Sequence, residues 1–276
     1  METWRLLDTG VSDPATNMAI DEAILTAHSQ GLVPPTVRFY AWNPPTLSIG
    51  YFQRAKREID FDQLHEHRLG FVRRPTGGRA VLHDKELTYS VVLAESHPLM
   101  PRSVNESYRI LSKGLMEGFR ALGLSAEMVS LADEDEKNRY ASLGSAACFD
   151  SPSWYELVVE GRKVAGSAQT RQRGTILQHG SILLDMDVDL LFRVLLFPTE
   201  EEREQMKRSF LEKAVSIKGS SGKDVSYEEA VEAFRTGFEK GLGIRLVQED
   251  LTEFEKKLTE QLRREKYTTD AWNFRR

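Results

Sequence analysis

Period-two alternation of apolar and polar positions dominates the first third of the chain. Thr36–Trp42 (TVRFYAW) and Thr46–Tyr51 (TLSIGY) both alternate as half-buried strands do, and Asn43-Pro44-Pro45 separates them as a turn. Trp4–Leu7 reads as a short strand ahead of them. Asp13-Pro14 opens a helix that Gly31 stops, with Met18, Ile24 and Leu25 on its core side. A short helix is expected over Asp60–Arg68. The period then becomes helical. Ser103 and Glu106 form a capping box ahead of Val104, Tyr108, Leu111, Leu115, Phe119 and Leu122, which share one stripe that Gly123 ends. Trp154–Val159, Arg162–Arg171 and Thr175–Leu184 alternate again and predict an antiparallel meander. From Asp187 onward the pattern is helical: Glu200–Lys213, then Ser226–Lys240 with its own capping box, then a last strand at Gly243–Val247. A final helix follows, with Leu251, Phe254, Leu258 and Leu262 as its apolar stripe. Gly219-Ser220-Ser221-Gly222 is expected to be a flexible hinge. These elements predict an α+β fold, a mixed, mainly antiparallel sheet with helices packed on it. Residues 1–248 form one domain in this reading, and 249–276 form a helical tail.

Composition changes this picture little. The chain has 276 residues, 40% hydrophobic and 29% charged, with a net charge of −5, so a general attraction to nucleic acid is not expected. The single cysteine excludes an internal disulfide and any cysteine-cluster metal site. His65 and His67 stand two apart on a helix, which points their rings away from each other. No apolar run approaches the ~20 residues that span a bilayer. METWRLLDTG carries acidic and polar residues where a signal peptide is apolar, so a cytoplasmic, non-membrane protein is expected.

Candidate chemistry concentrates in a few stretches. In RRPTGGRAVLHD (Arg73–Asp84), Pro75 and the Gly77-Gly78 pair force a tight loop that lets a ligand approach backbone N–H groups. Arg73, Arg74 and Arg79 around it suit phosphate or carboxylate, although a hairpin with solvated arginines fits the same pattern. No phosphate-binding glycine loop of the G-x-x-x-x-G-K type and no G-x-S-x-G elbow is present. Cys148 lies among small, turn-forming residues, which suits an accessible loop. Lys163 follows the Glu160-Gly161 turn and precedes Val164-Ala165-Gly166-Ser167-Ala168, whose small side chains leave room for a ligand. Taken alone, each has a plainer reading: a buried thiol and a surface lysine.

RRPTGGRAVLHD, NMAIDEAIL (Asn17–Leu25), GRKVAGSAQ (Gly161–Gln169) and QHGSIL (Gln178–Leu183) occur in the order that motifs take in the lipoate–protein ligase, biotin ligase and octanoyltransferase superfamily. The chain resembles that superfamily from about Asn17 to Val247. The resemblance implies a lipoate/biotin ligase-like catalytic fold with its core at about 33–248. It implies that Lys163 points at the acyl carbonyl. One class of octanoyltransferase in the superfamily carries a thioester-forming cysteine within C-F-D-x-P-S-W-Y-E, and Cys148–Glu156 matches that pattern. Cys148 and Lys163 are therefore the expected catalytic pair. Arg73, Arg74, Thr76, Gly77, Gly78, Arg79 and His83 are expected to bind substrate, as are Gly166, Ser167, Ala168, His179 and Gly180, with Leu82, Val164 and Ile182 as acyl-chain walls. Arg79 stands where the ligases more often have a third glycine.

The implied reaction moves octanoyl from octanoyl acyl-carrier protein to a lysine of a lipoyl domain such as the glycine cleavage H protein. It needs no cofactor, ATP or metal, and a monomer suffices. Arg109 and Lys113, one turn apart, are the expected docking face for such acidic partners. An amidotransferase between lipoyl domains, an ATP-dependent lipoate ligase and a non-catalytic acyl sensor remain alternatives at this point.

Overall fold

The computed structural model describes residues 1–130 and 155–276. Six strands form the main sheet in the order β10 (Ala165–Gln172), β11 (Thr175–Leu183), β6 (Glu86–Ala94), β2 (Thr36–Trp42), β1 (Glu2–Ser12) and β12 (Ile244–Gln248). The first four are mutually antiparallel, whereas β1 pairs parallel with both β2 and β12. A three-stranded sheet of β4 (Gly70–Arg73), β3 (Thr46–Ile49) and β5 (Val81–His83) stands beside it. A third sheet joins β7 (Ala126–Ser130), β8 (Tyr155–Val159) and β9 (Arg162–Lys163). The fold is the mixed, mainly antiparallel α+β architecture that the pattern predicts.

Alternation along the strands gives the main sheet two chemically distinct faces. One face carries Val37, Phe39, Leu87, Tyr89, Val91, Leu93, Ile176 and Ile182, all within one buried apolar cluster. The Val104–Ala121 and Tyr227–Leu242 helices cover it. They cross so closely that a Cβ on Gly237 would lie 2.3 Å from the Gly118 nitrogen. The opposite face carries buried polar residues, Arg38, Thr88, Ser90, His179 and Ser181, and the Pro14–Ser29 helix lies over it. Asp13 caps that helix by accepting from the Ala15 and Thr16 backbone N–H groups.

Three expectations need correction. The meander does not stay in one sheet: β8 and β9 belong to the third sheet and β10 and β11 to the main one. Val164 makes the crossing, its N–H bonded to the Leu157 carbonyl and its carbonyl accepting from Leu183. The last helix, Glu253–Leu262, buries Glu255 and Thr259, while Phe254 is 38% exposed. Leu251 and Leu262 do pack on the core, so the stripe departs from the expectation only at Phe254. The face beside it also points inward, because Arg5 of β1 takes the Glu255 carboxylate in a two-pronged pair, with Nη1 at 2.8 Å from Oε2. Gly219 to Gly222 is no hinge: Ile217–Ser221 is a helical turn capped by Gly222 in the left-handed conformation. Residues 249–276 are helical but tied into the body. Lys266 and Tyr267 bond Glu22, and Arg263 donates to Thr16.

Candidate active site

Two networks of buried polar groups occupy the polar face. The first centres on Asp21, whose neighbours along the Pro14–Ser29 helix are otherwise mostly apolar. Its carboxylate faces Arg38 Nη1 at 2.7 Å and accepts from the hydroxyls of Tyr40 and Ser90 at 2.9 and 2.8 Å. Arg38 also donates to Thr9 and to the side chain and carbonyl of Asn17, and its guanidinium lies 3.8 Å over the Tyr40 ring. Burial by itself would raise the Asp21 carboxyl, but Arg38 and His179 outweigh it and hold the group below its ordinary range. His179, with Nδ1 at 2.9 Å from Asp21 Oδ2, is depressed by burial despite that carboxylate. A neutral His179 then donates from Nδ1 to Asp21 and accepts at Nε2 from the Thr76 hydroxyl, 2.7 Å away.

The second network centres on Glu86, which accepts from the Thr88 and Ser181 hydroxyls. His83 lies between Glu86, at 2.6 Å from Nδ1, and Ser48 Oγ, at 2.6 Å from Nε2. Its ring stacks on Trp42 with centroids 4.3 Å apart. Arg74 donates from Nη1 to Ser48 Oγ and from Nη2 to the carbonyls of Gly77 and Arg79. This guanidinium thereby sets the shape of the glycine loop from beneath.

Between the networks runs a cleft of about 340 Å³, counting its open mouth. Met18, Tyr40, Trp42 and Val81 give it apolar walls, and Gly166, Ser167, Ala168, His179, Gly180 and Ser181 form the side made by β10 and β11. Two glycines are required here. A Cβ on Gly180 would sit 2.2 Å from the Gly166 carbonyl oxygen, and Gly78 has φ +91°. Gly77, by contrast, does not take a positive φ.

Of the expected binding residues, Arg74, His83, Gly166, Ser167, Ala168, His179 and Gly180 line the cleft. Thr76 stands behind it on His179, and Gly77, Gly78 and the half-buried Arg79 form the loop that Arg74 holds. Arg73 is a correction: its side chain is fully buried away from the cleft. Its guanidinium donates to the carbonyls of Gly50, Tyr51, Gln53 and Asn273, so it is saturated by backbone. Val164 and Ile182 are corrections too, because alternation turns both into the apolar cluster on the far face. Leu82 lines a neighbouring hollow with Asp84, Met186 and Phe210. Lys163 ends β9 at 9% exposure, three residues before the cleft-lining Gly166. Cys148 lies outside the described residues.

The lipoyl protein ligase A/B catalytic domain matches residues 13–239. The chain belongs to that family. Octanoyltransferase LipM of Brevibacillus brevis is 62% identical over 276 residues, covering 100% of both chains. Octanoyltransferase LipM of Bacillus subtilis is 56% identical over 275 residues, 100% of this chain and 99% of its own. A bi-partite lipoate protein ligase of Thermoplasma acidophilum has a similar structure, with TM-score 0.82 at 28% identity over 99% of this chain and 97% of that one. The lipoyl ligase A/B family thus accounts for the motif order and for the ligase-like fold.

Sequence reasoning missed the buried polar groups that surround the cleft: Asp21, Arg38, Ser48, Glu86, Thr88 and Ser181. One signal was present. Asp21 interrupts the apolar face of its helix and Arg38 interrupts an otherwise apolar strand, and a charge at a core position needs a buried partner.

Proposed function

We propose that this octanoyltransferase of lipoate biosynthesis accepts its acyl group from octanoyl acyl-carrier protein, holds it on Cys148, and delivers it to a lysine of a lipoyl domain, with the glycine cleavage H protein as acceptor. The observation that carries the reading is the apolar-walled cleft that begins three residues beyond buried Lys163. Apolar walls suit a hydrocarbon chain, and burying the six methylenes of an octanoyl group contributes up to ~5 kcal/mol. The Cys148 thiolate attacks the thioester carbonyl, and the pantetheine sulfur leaves with a proton. The lysine amine then attacks the new thioester, forming the amide and returning the thiol. Lys163 favours the thiolate and the oxyanion that develops at each attack. Because the donor is already activated, the reaction uses no nucleotide and no metal, and we assign it to the cytoplasm.

The test is intact-mass analysis of the protein mixed with octanoyl acyl-carrier protein without ATP, followed by addition of a lipoyl domain. The expected result is a gain of one octanoyl group, lost again as the lipoyl domain gains it. Faster octanoylation from free octanoate and ATP would replace this reading with a ligase. Octanoylated lipoyl domain as the better donor would replace it with an amidotransferase.

A further inference from the structure

The chain is acidic overall, with a net charge of −5, yet one surface beside the glycine loop is strongly basic. Arg54, Lys56 and Arg57 follow the turn after β3, and Arg275 and Arg276 reach the same surface from the far end of the sequence; all five are exposed. Among the described residues none of the five side chains forms an ion pair; the one acid in this segment, Glu58, accepts from the Arg54 backbone N–H at 2.7 Å and from the Gln53 side chain. Three of them lie against rings. The Arg275 guanidinium lies 4.3 Å over Tyr51 and 5.0 Å over Trp272, that of Arg276 lies 5.2 Å over Phe52, and Lys56 Nζ stands 5.9 Å over Phe274. A ring attracts a cation without neutralising it, so the positive potential persists. The field is felt locally: after burial, Arg275 and Arg276 are the next causes that lower the Arg73 pKa. Phe52 is 65% exposed in the middle of these charges, a feature that a folded core does not require.

This surface adjoins the cleft. The Tyr51 N–H donates to the Thr76 carbonyl at 2.8 Å, and Gly50 packs so tightly on the loop that a Cβ there would sit 1.9 Å from the Gly78 oxygen. The surface is nevertheless offset from the cleft by the Gly50–Gln53 turn. A partner whose acyl group hangs on a long pantetheine arm can dock there and still reach the cleft. A partner offering a lysine must sit on the rim itself. The Arg109 and Lys113 face suits the role less, because Glu106 holds Arg109 at 2.9 Å.

We propose that the Phe52, Arg54–Arg57 and Arg275–Arg276 surface docks the acidic carrier protein that presents the octanoyl thioester. The proposal rests on the donor assigned above. It deepens that assignment by giving the donor a place on the molecule. Complementary charge at such a rim acts mainly on encounter, so it belongs in KM and in salt dependence.

The experiment compares the wild type with Arg54→Glu/Arg57→Glu/Arg276→Glu and with the neutral triple glutamine variant, after melting curves confirm that each folds. Donors are octanoyl acyl-carrier protein and a small octanoyl N-acetylcysteamine thioester. Reversal should raise KM for the carrier protein about tenfold or more and flatten its salt dependence, with the glutamine variant intermediate. kcat/KM for the small thioester should stay within about twofold of wild type. An unchanged carrier KM overturns the proposal, and so does a rise confined to the lipoyl-domain acceptor. A wild type that the small thioester acylates and the carrier does not removes the donor assignment instead, and the docking proposal falls with it.

Discussion

A buried carboxylate keeps its charge only where cations and donors surround it, and Asp21 has both. Replacing Asp21 with Asn leaves Arg38 in the interior without its counter-charge, which costs about 3–5 kcal/mol. Urea denaturation at neutral pH measures it, and a loss below about 1 kcal/mol would mean that water reaches Arg38. His179 adds a pH dependence. Its folded value lies below the ordinary 6.5, so the unfolded chain binds that proton first. Stability therefore falls as the pH drops below about 6.5 and stops falling, for this group, below the folded value. Between pH 7 and 5 the wild type should lose stability that a His179→Gln variant keeps. At the proposed catalytic pair, Cys148→Ala should fold and never gain the octanoyl mass. Lys163→Ala should retain the thiol with a raised pKa, seen as a shift of iodoacetamide labelling to higher pH. Its acylation should recover only partly at high pH, because the oxyanion contribution is lost at every pH. An unshifted labelling curve would confine Lys163 to the carbonyl.

At the scale of elements, local rules succeeded where neighbours agree with them. Asp13-Pro14 and Ser226 with Glu229 start their helices where the capping rules place them. They failed where a distant residue decides. Nothing near Glu255 signals that Arg5, 250 residues away, will bury it, and nothing in the alternation from Trp154 to Leu184 signals that Val164 changes sheets. Residues of the glycine-loop, GRKVAGSAQ and QHGSIL stretches line the cleft, but the acids and hydroxyls around it come from strands whose inward face is fixed only by tertiary register. The Gly114, Gly118 and Gly237 crossing shows the same competition in energies. Alanine is favoured over glycine within a helix by about 1 kcal/mol. At Gly237, however, the new methyl would lie 2.3 Å from the Gly118 backbone nitrogen, which cannot give way as a flexible side chain could. Overpacking of about 1–3 kcal/mol should win, so Gly237→Ala is expected to lower Tm. A rise in Tm would show that the two helices can part freely.

For the whole molecule, the two ends of the chain are joined to each other. Arg5 on β1 and Glu255 on the Glu253–Leu262 helix form a fully buried pair. Burial tends to raise the Glu255 carboxyl, but Arg5 and the Thr252 N–H lower it below 4.5. A folded value below the unfolded one contributes stability above about pH 4.5, and that stability is lost as the pH falls through the folded value. The wild type should therefore show an acid-induced loss that Glu255→Gln lacks. The variant should be less stable at neutral pH, and the Arg5→Met/Glu255→Leu double variant should recover most of the difference. Equal acid profiles would show that the pair contributes nothing to the link.

Arg73 has a further consequence, in the order of biogenesis. Its backbone N–H donates to the Asn273 side chain, its carbonyl accepts from the Trp272 indole, and its guanidinium grips the Asn273 carbonyl, across about 200 residues. A chain made from its N-terminus emerges with β4 long before those partners exist. The contacts that seat Arg73 therefore form only when synthesis has passed residue 273. On the ribosome, the seat of Arg73 is thus among the last contacts of this molecule to form, and β4 emerges long before the residues that hold it.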